Sequence, residues 1–188
     1  MKYLGGSGTD TLIASVPLGT MGAITANFGT GAYNAQFAGT GQTIFTGAIN
    51  VIAANQVGQA GSLLFATATF KAAITVKLGD GVDTVQAVDI VAGAAFKLDT
   101  AAGADVVIVD NANSGIPTLF RGPVTILMGA GADTLNIGNN TALGHAEFKA
   151  LAKFDGGADA DTANVSAANF ANTYIVGQPV VVNFETQN

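Results

Sequence analysis

Leu127-Met-Gly-Ala-Gly-Ala-Asp133-Thr-Leu135 places an apolar residue, a glycine-rich turn, an aspartate, a threonine and a second apolar residue in one short frame. The frame returns in Tyr3-Leu-Gly-Gly-Ser-Gly-Thr-Asp10-Thr-Leu12, Lys77-Leu-Gly-Asp-Gly-Val-Asp83-Thr-Val85, Lys97-Leu-Asp-Thr-Ala-Ala-Gly-Ala-Asp105-Val-Val107 and Lys153-Phe-Asp-Gly-Gly-Ala-Asp159-Ala-Asp161-Thr162. Asp105 follows Asp83 by 22 residues, and Asp133 and Asp161 follow at steps of 28. Weaker copies keep the glycines without the aspartate: Phe28-Gly-Thr-Gly31, Ala38-Gly-Thr-Gly41-Gln-Thr43 and Val57-Gly-Gln-Ala-Gly61-Ser62. Taking Thr43, Ser62 and Asp83 as equivalent extends the period upstream in steps of 19 and 21. Self-similarity at such spacing marks units that bury an apolar face only by stacking on their neighbours.

Between the turns the chain reads as short strands rich in β-branched residues, as in Ala73-Ile-Thr-Val-Lys-Leu78, Val106-Val-Ile-Val109, Val124-Thr-Ile-Leu-Met128 and Val180-Val-Val-Asn-Phe184. The expected fold is all-β: a single-domain parallel β-solenoid, β-helix-like or β-roll-like, of about seven or eight coils. Leu12, Val85, Val107 and Leu135 should stack inward. An antiparallel β-sandwich is the alternative, since its turn signals also recur at short intervals. Leu143 to Phe154, with apolar residues at 143, 148, 151 and 154, carries a helical stripe and predicts a short helical insertion. No domain boundary interrupts residues 1–188, which read as one solenoid domain or as a fragment or subunit of a longer one. The first repeat turn begins at Gly5, so the coil edges are expected to meet further coils or other copies end to end.

Composition narrows the function. Charged residues make up 11% of the chain against roughly 25% in ordinary domains, while 49% are hydrophobic, which excludes disorder driven by charge. A net charge of -6 with seven cations argues against binding a nucleic-acid backbone. The longest stretch free of polar side chains, Ile90 to Phe96, is far shorter than the roughly 20 residues of a transmembrane helix. The absence of cysteine excludes disulfides and thiolate chemistry and suits an extracellular setting.

Gly5-Gly-Ser-Gly8-Thr-Asp10-Thr-Leu12-Ile13 matches the nine-residue pattern of calcium-binding β-rolls. Here the sequence resembles the RTX, or hemolysin-type calcium-binding, proteins, and more broadly the Gly/Thr/Asp-rich solenoids of large bacterial surface proteins. The resemblance implies an extracellular or cell-surface location, and Ca²⁺ held by backbone carbonyls and aspartates of successive turns. On that basis the candidate ligands are Asp10, Asp80, Asp83, Asp133, Asp155, Asp159 and Asp161. The densest group is Asp155, Asp159 and Asp161, with Asp133 one coil away. The full pattern occurs once, and the next good copy reaches its aspartate 73 residues later. A second reading stays open: an aspartate after a glycine-rich turn accepts hydrogen bonds from nearby backbone N–H groups without any ion.

Carboxylate pairs at this spacing would need a cationic or imidazole partner for acid–base work, and none of the motifs of polysaccharide-cleaving solenoids is present. His145, the sole histidine, stands in Ala-Leu-Gly-His-Ala-Glu147 without a nucleophile motif and reads as a loop residue. Lys77, Lys97 and Lys153 predict an outward lysine column interrupted by Leu127. Thr11, Thr84, Thr134 and Thr162 predict an outward threonine ladder. The Asn50–Asn55 and Asn164–Asn172 stretches predict inward asparagine ladders or tight corners. The expected function is that of a non-enzymatic structural module of an exported bacterial surface, adhesin-like or extracellular matrix protein, calcium-stabilised and self-assembling. The alternative is a carbohydrate-active or carbohydrate-binding solenoid that recognises surface polysaccharide. That alternative needs a row of exposed aromatics, for which no Trp and three tyrosines, Tyr3, Tyr33 and Tyr174, are little material. A porin-like barrel is disfavoured because aromatic girdles are missing.

Overall fold

The computed structural model describes residues 1–112, 114–138, 145–165 and 179–187. Its strands form three faces wound about a common axis. The first face is an eight-stranded sheet. Its order is β1 (Lys2–Leu4), β4 (Ile24–Asn27), β6 (Ile49–Ile52), β8 (Ile74–Lys77), β11 (Phe96–Asp99), β14 (Val124–Leu127), β17 (Ala152–Asp155) and β19 (Val180–Val182). The second face stacks β2 (Asp10–Ser15), the starts of β5 (Tyr33–Phe45) and β7 (Ala60–Phe70), then β9 (Val82–Val88), β12 (Val106–Val109), β15 (Thr134–Ile137), β18 (Thr162–Val165) and β20 (Thr186–Gln187). The third face holds β3 (Gly19–Met21), the ends of β5 and β7, β10 (Val91–Ala92), β13 (Thr118–Phe120) and β16 (Ala146–Phe148). β5 and β7 run unbroken from the second face to the third. The corner between their halves is made by a register shift between Ala38 and Thr43 and by Thr67 at φ 50°.

Pairing is parallel throughout these ladders, so the chain is a parallel β-solenoid of about seven turns, and the antiparallel sandwich is excluded. Among the described residues there is no helix. The helical stripe expected over Leu143–Phe154 is overturned where it can be seen: Ala146–Phe148 and Ala152–Asp155 are β16 and β17, while Leu143 lies outside the described residues. Ala146 and Phe148 stack on Thr118 and Phe120, and Ala152 and Phe154 stack on Val124 and Ile126. A template coil thus overrides a weak local period.

The core is a set of columns one residue wide. Leu12, Ala35, Leu63, Val85, Val107, Leu135 and Ala163 form one on the second face, as expected from the repeat frame. Met21, Phe45, Phe70, Ala92, Phe120 and Phe148 form another on the third. Phe45 stacks on Phe70 at 4.7 Å and Phe120 on Phe148 at 5.1 Å, close to parallel in each case. Ala87 and Ala92 leave a gap in the phenylalanine stacks. Phe96 reaches it from the first face, edge-on to Phe65 at 6.0 Å and to Phe120 at 5.4 Å. Large and small residues therefore trade places from coil to coil so that total volume is kept.

The glycine turns are forced by the same stacking. Gly129 has φ 93°, and a Cβ there would collide with the carbonyl of Ala101 in the coil before. Gly157 has φ 105° and stands in the same relation to Gly129. Neither position accepts a side chain without displacing backbone.

Two register expectations need correction. Gly61, not Ser62, is level with Asp83, and Thr43 pairs with Gly19 and Ala68, well away from that column. Lys97 and Lys153 share an outward column with Thr75 and Thr125, whereas Lys77 lies in the next column beside Asp99. The glycine turns vary in length, so aligning the strands by their last lysine slips the register by two residues.

Candidate functional site

At the corner where the first face turns into the second, one residue per coil stands at the inward position where the strand begins. In order along the axis these are Asp10, Tyr33, Gly61, Asp83, Asp105, Asp133 and Asp161. Strand alternation accounts for the direction. The following residues, Thr84, Val106, Thr134 and Thr162, are half-buried on the outer surface, so their predecessors turn inward. Asp83 is 0% exposed, and Asp105, Asp133 and Asp161 are 1% exposed.

The four buried aspartates are tied by one repeated bond. The backbone N–H of Asp83 donates to Oδ1 of Asp105, that of Asp105 to Oδ1 of Asp133, and that of Asp133 to Oδ1 of Asp161, each at 2.8 Å. The N–H of Asp161 donates to Oε2 of Glu185 at 2.7 Å, which continues the pattern with a longer side chain. At the other end, Oδ1 of Asp83 accepts the Tyr33 phenol at 3.1 Å and the Asn55 amide at 2.8 Å. Tyr33 lies two coils away and reaches Asp83 across Gly61. A Cβ on Gly61 would run into both the Tyr33 ring and the Asp83 carboxylate. Asn55 is buried in this corner and also accepts the Gly79 N–H at 3.0 Å, so the expectation of inward asparagines at tight corners is met here.

The second oxygen of each carboxylate is not so provided for. Oδ2 of Asp83, Asp105, Asp133 and Asp161 is buried without a hydrogen-bond partner. Buried polar atoms are normally paired, and buried charges more so. The ion pairs of the described residues, Glu147 with Lys149 and with His145, and Asp155 with Lys153, all lie elsewhere. Two carboxylates one coil apart, about 4.8 Å, repel by about 3.5 kcal/mol at an effective dielectric constant of about 20. Burial, aided by these neighbours, pushes Asp83 and Asp133 up to about 7. Burial likewise raises Asp105 and Asp161 above the usual carboxylate range. Asp110, at the end of β12, is a separate case. It is buried, accepts the Thr118 N–H at 2.6 Å, keeps Oδ1 unpartnered and is raised by burial to about 6.

The aspartates singled out from sequence are distributed, not gathered. Asp83, Asp133 and Asp161 belong to the column. Asp10 heads it but is half-buried, with Oδ2 accepting the Gly6 N–H at 2.9 Å. Asp80 is exposed on the rim of an open notch of about 520 Å³ bordered by Ile52, Asn55, Lys77 and Leu78. Asp155 lies on the outer side of β17, where Lys153 at 2.9 Å, together with Asn183, holds its carboxyl below the usual range. Asp159 is exposed at φ 85° and accepts the Gly131 N–H at 3.2 Å. Asp155, Asp159 and Asp161, close in sequence, therefore do not converge: only Asp161 is buried. Among the described residues no three Asp, Glu or His side chains converge as a group able to hold a metal ion. Asp105 was not in the candidate set, although its place in the repeat frame was the signal that could have found it. Tyr33, Asn55 and Glu185 join the site through contacts that no local pattern announces.

The remaining expectations concern the surface. The threonine column reads Thr11, Asn34, Ser62, Thr84, Val106, Thr134, Thr162 and Thr186, a ladder with three substitutions. Asn164 donates to Asn136 at 2.8 Å on the same half-buried outer surface, not inside. His145 is half-buried with Nε2 3.6 Å from Glu147. Tyr33 is buried and Tyr3 packs half-buried on Phe28, while Tyr174 lies outside the described residues. Among the described residues no helix is long and apolar enough to cross a membrane. No protein-family model matches the chain, and neither a curated protein nor a solved structure is significantly similar to it.

Proposed function

We propose that the chain is a non-enzymatic structural module, a rod from an exported bacterial surface, adhesin-like or matrix protein. The supporting observation is the parallel pairing that continues from coil to coil, linking β1 to β19 on one face and β2 to β20 on another. At about 4.8 Å per coil, seven coils span about 34 Å. The span is set by backbone hydrogen bonds, and the filled interior resists bending. The outer column from Thr11 to Thr186 is mostly short Thr, Asn and Ser side chains, suited to a face that holds its spacing in water.

The edge of any stacked coil is a row of N–H and C=O groups. It accepts a strand of the same pitch, whether from an adjoining coil of a longer chain or from another copy. Self-assembly end to end is therefore part of the proposal. The carbohydrate reading has less support, because the notch beside Asp80 is lined by no aromatic side chain and Tyr33 serves the interior.

Sedimentation and negative-stain microscopy over a concentration series, alongside a reducing-end assay on a polysaccharide panel, test this. Rods that lengthen with concentration and an assay at background are expected. Release of reducing ends in proportion to protein would overturn the non-enzymatic reading. A monomer at every concentration would remove self-assembly.

A further inference from the structure

Asp83, Asp105, Asp133 and Asp161 occupy one corner in four consecutive coils, each with one oxygen engaged and one buried without a partner. An ionised carboxylate only accepts hydrogen bonds, so a file of four ionised groups has no means of satisfying the free oxygens from within. A protonated carboxyl differs. It keeps an acceptor for the backbone N–H and gains an O–H donor, which makes it equivalent in bonding to an asparagine.

We propose that this column is a proton-binding ladder, in which alternate aspartates are neutral acids near neutral pH, so that no two adjacent coils both carry a buried negative charge. The corner is then tightened by acid and loosened by alkali. Alternation suits the chemistry. Protons on Asp83 and Asp133 separate the remaining negative charges, on Asp105 and Asp161, by two coils. Burial raises Asp83 and Asp133 to about 7, which supports the same pair.

The groups facing the column do not compensate its charge. Tyr33 and Asn55 approach Asp83 as neutral donors, and the buried Thr100 hydroxyl lowers Asp105 without outweighing its burial. Asp159 raises Asp133 and Asp161 further, and Glu185 adds to the effect on Asp161. Proton sharing fits the site better than a cation, because the free oxygens are strung along the axis one per coil instead of surrounding a common point.

The test is thermal unfolding of the chain and of the double variant Asp83→Asn, Asp133→Asn, at about pH 5 and about pH 8, in EDTA and in millimolar calcium. In EDTA the parent should melt higher at the lower pH by on the order of 5 °C or more. The variant, whose amides are neutral at both pH values, should lose most of that difference and melt no lower than the parent at about pH 8. In parallel, the infrared spectrum of the parent near pH 6 should show the C=O stretch of a protonated carboxyl. A melting temperature that rises with pH, or a variant that keeps the full difference, overturns the proposal. So does a calcium-dependent stabilisation at about pH 8 that the variant abolishes, which would assign the column to a cation. Should the variant fail to fold, the absence of the protonated-carboxyl band in the parent is sufficient to overturn it.

Discussion

The inward corner position is filled by Asp10, Tyr33 and Gly61 in the first three coils and by aspartate in the next four. The first stretch meets the polar demand of the corner with a phenol reaching over a glycine and with a half-buried aspartate whose Oδ2 accepts the Gly6 N–H. The second repeats one acidic residue and thereby accumulates unpaired oxygens and like charge. The same backbone accepts both. The difference is one of charge: the first stretch places one carboxylate at this position and the second places four, three of which accept the N–H of the aspartate one coil before.

The largest effect expected from this contrast is on pH dependence. Asp83 and Asp133 have folded values near 7, above the ordinary value near 4, so the native chain holds more protons than the unfolded chain between those limits. Their contribution is complete below about pH 4 and is lost as pH rises through about 7. Going from about pH 8 to about pH 5 should raise the unfolding free energy by on the order of 4 kcal/mol, measured by urea denaturation at each pH. Hydrogen exchange should place the loosening at the amides of Asp83, Asp105 and Asp133 and leave those around Phe37 and Phe65 protected.

Next in size is Gly61→Val. It drives a branched side chain into the Tyr33 ring and the Asp83 carboxylate, and should destabilise by about 3 kcal/mol at any pH, read from the urea midpoint. Tyr33→Phe removes a donor from Asp83 and leaves Asn55. The expected loss is about 1.5 kcal/mol at about pH 8, where Asp83 is ionised, and less at about pH 5. A loss independent of pH would mean that the phenol contributes packing alone. The smallest effect is assigned to Lys153→Met on the outer side, where the ion pair with Asp155 is partly solvated. It should change stability by under about 0.5 kcal/mol, which places the pH response at the buried corner and not in surface charge.

The repeat of glycine, aspartate and apolar residue was enough to recover a parallel solenoid and the inward column of Leu12, Val85, Val107 and Leu135, because a stacked coil must return to the same face at each turn. It did not yield the register of Thr43, Ser62 or Lys77, since turn length varies between coils and only backbone pairing measures it. Nor did it separate the aspartates. Asp155, Asp159 and Asp161 share a turn, and which of them faces inward depends on the strand that follows.

What the sequence by itself determined, then, is a periodic chain with little charge and little side-chain bulk at its turns, which has to bury its apolar residues by stacking. Tertiary structure alone decided that four carboxylates from distant turns stand in one dry file, that Tyr33 crosses a coil through the space of Gly61, and that Glu185 ends the row. The reason lies in range. Strand alternation and glycine turns act over a few residues and can be read along the chain. Burial, charge repulsion and an unpartnered oxygen are properties of neighbours 22 or 28 residues apart, and they exist only once the coils are stacked.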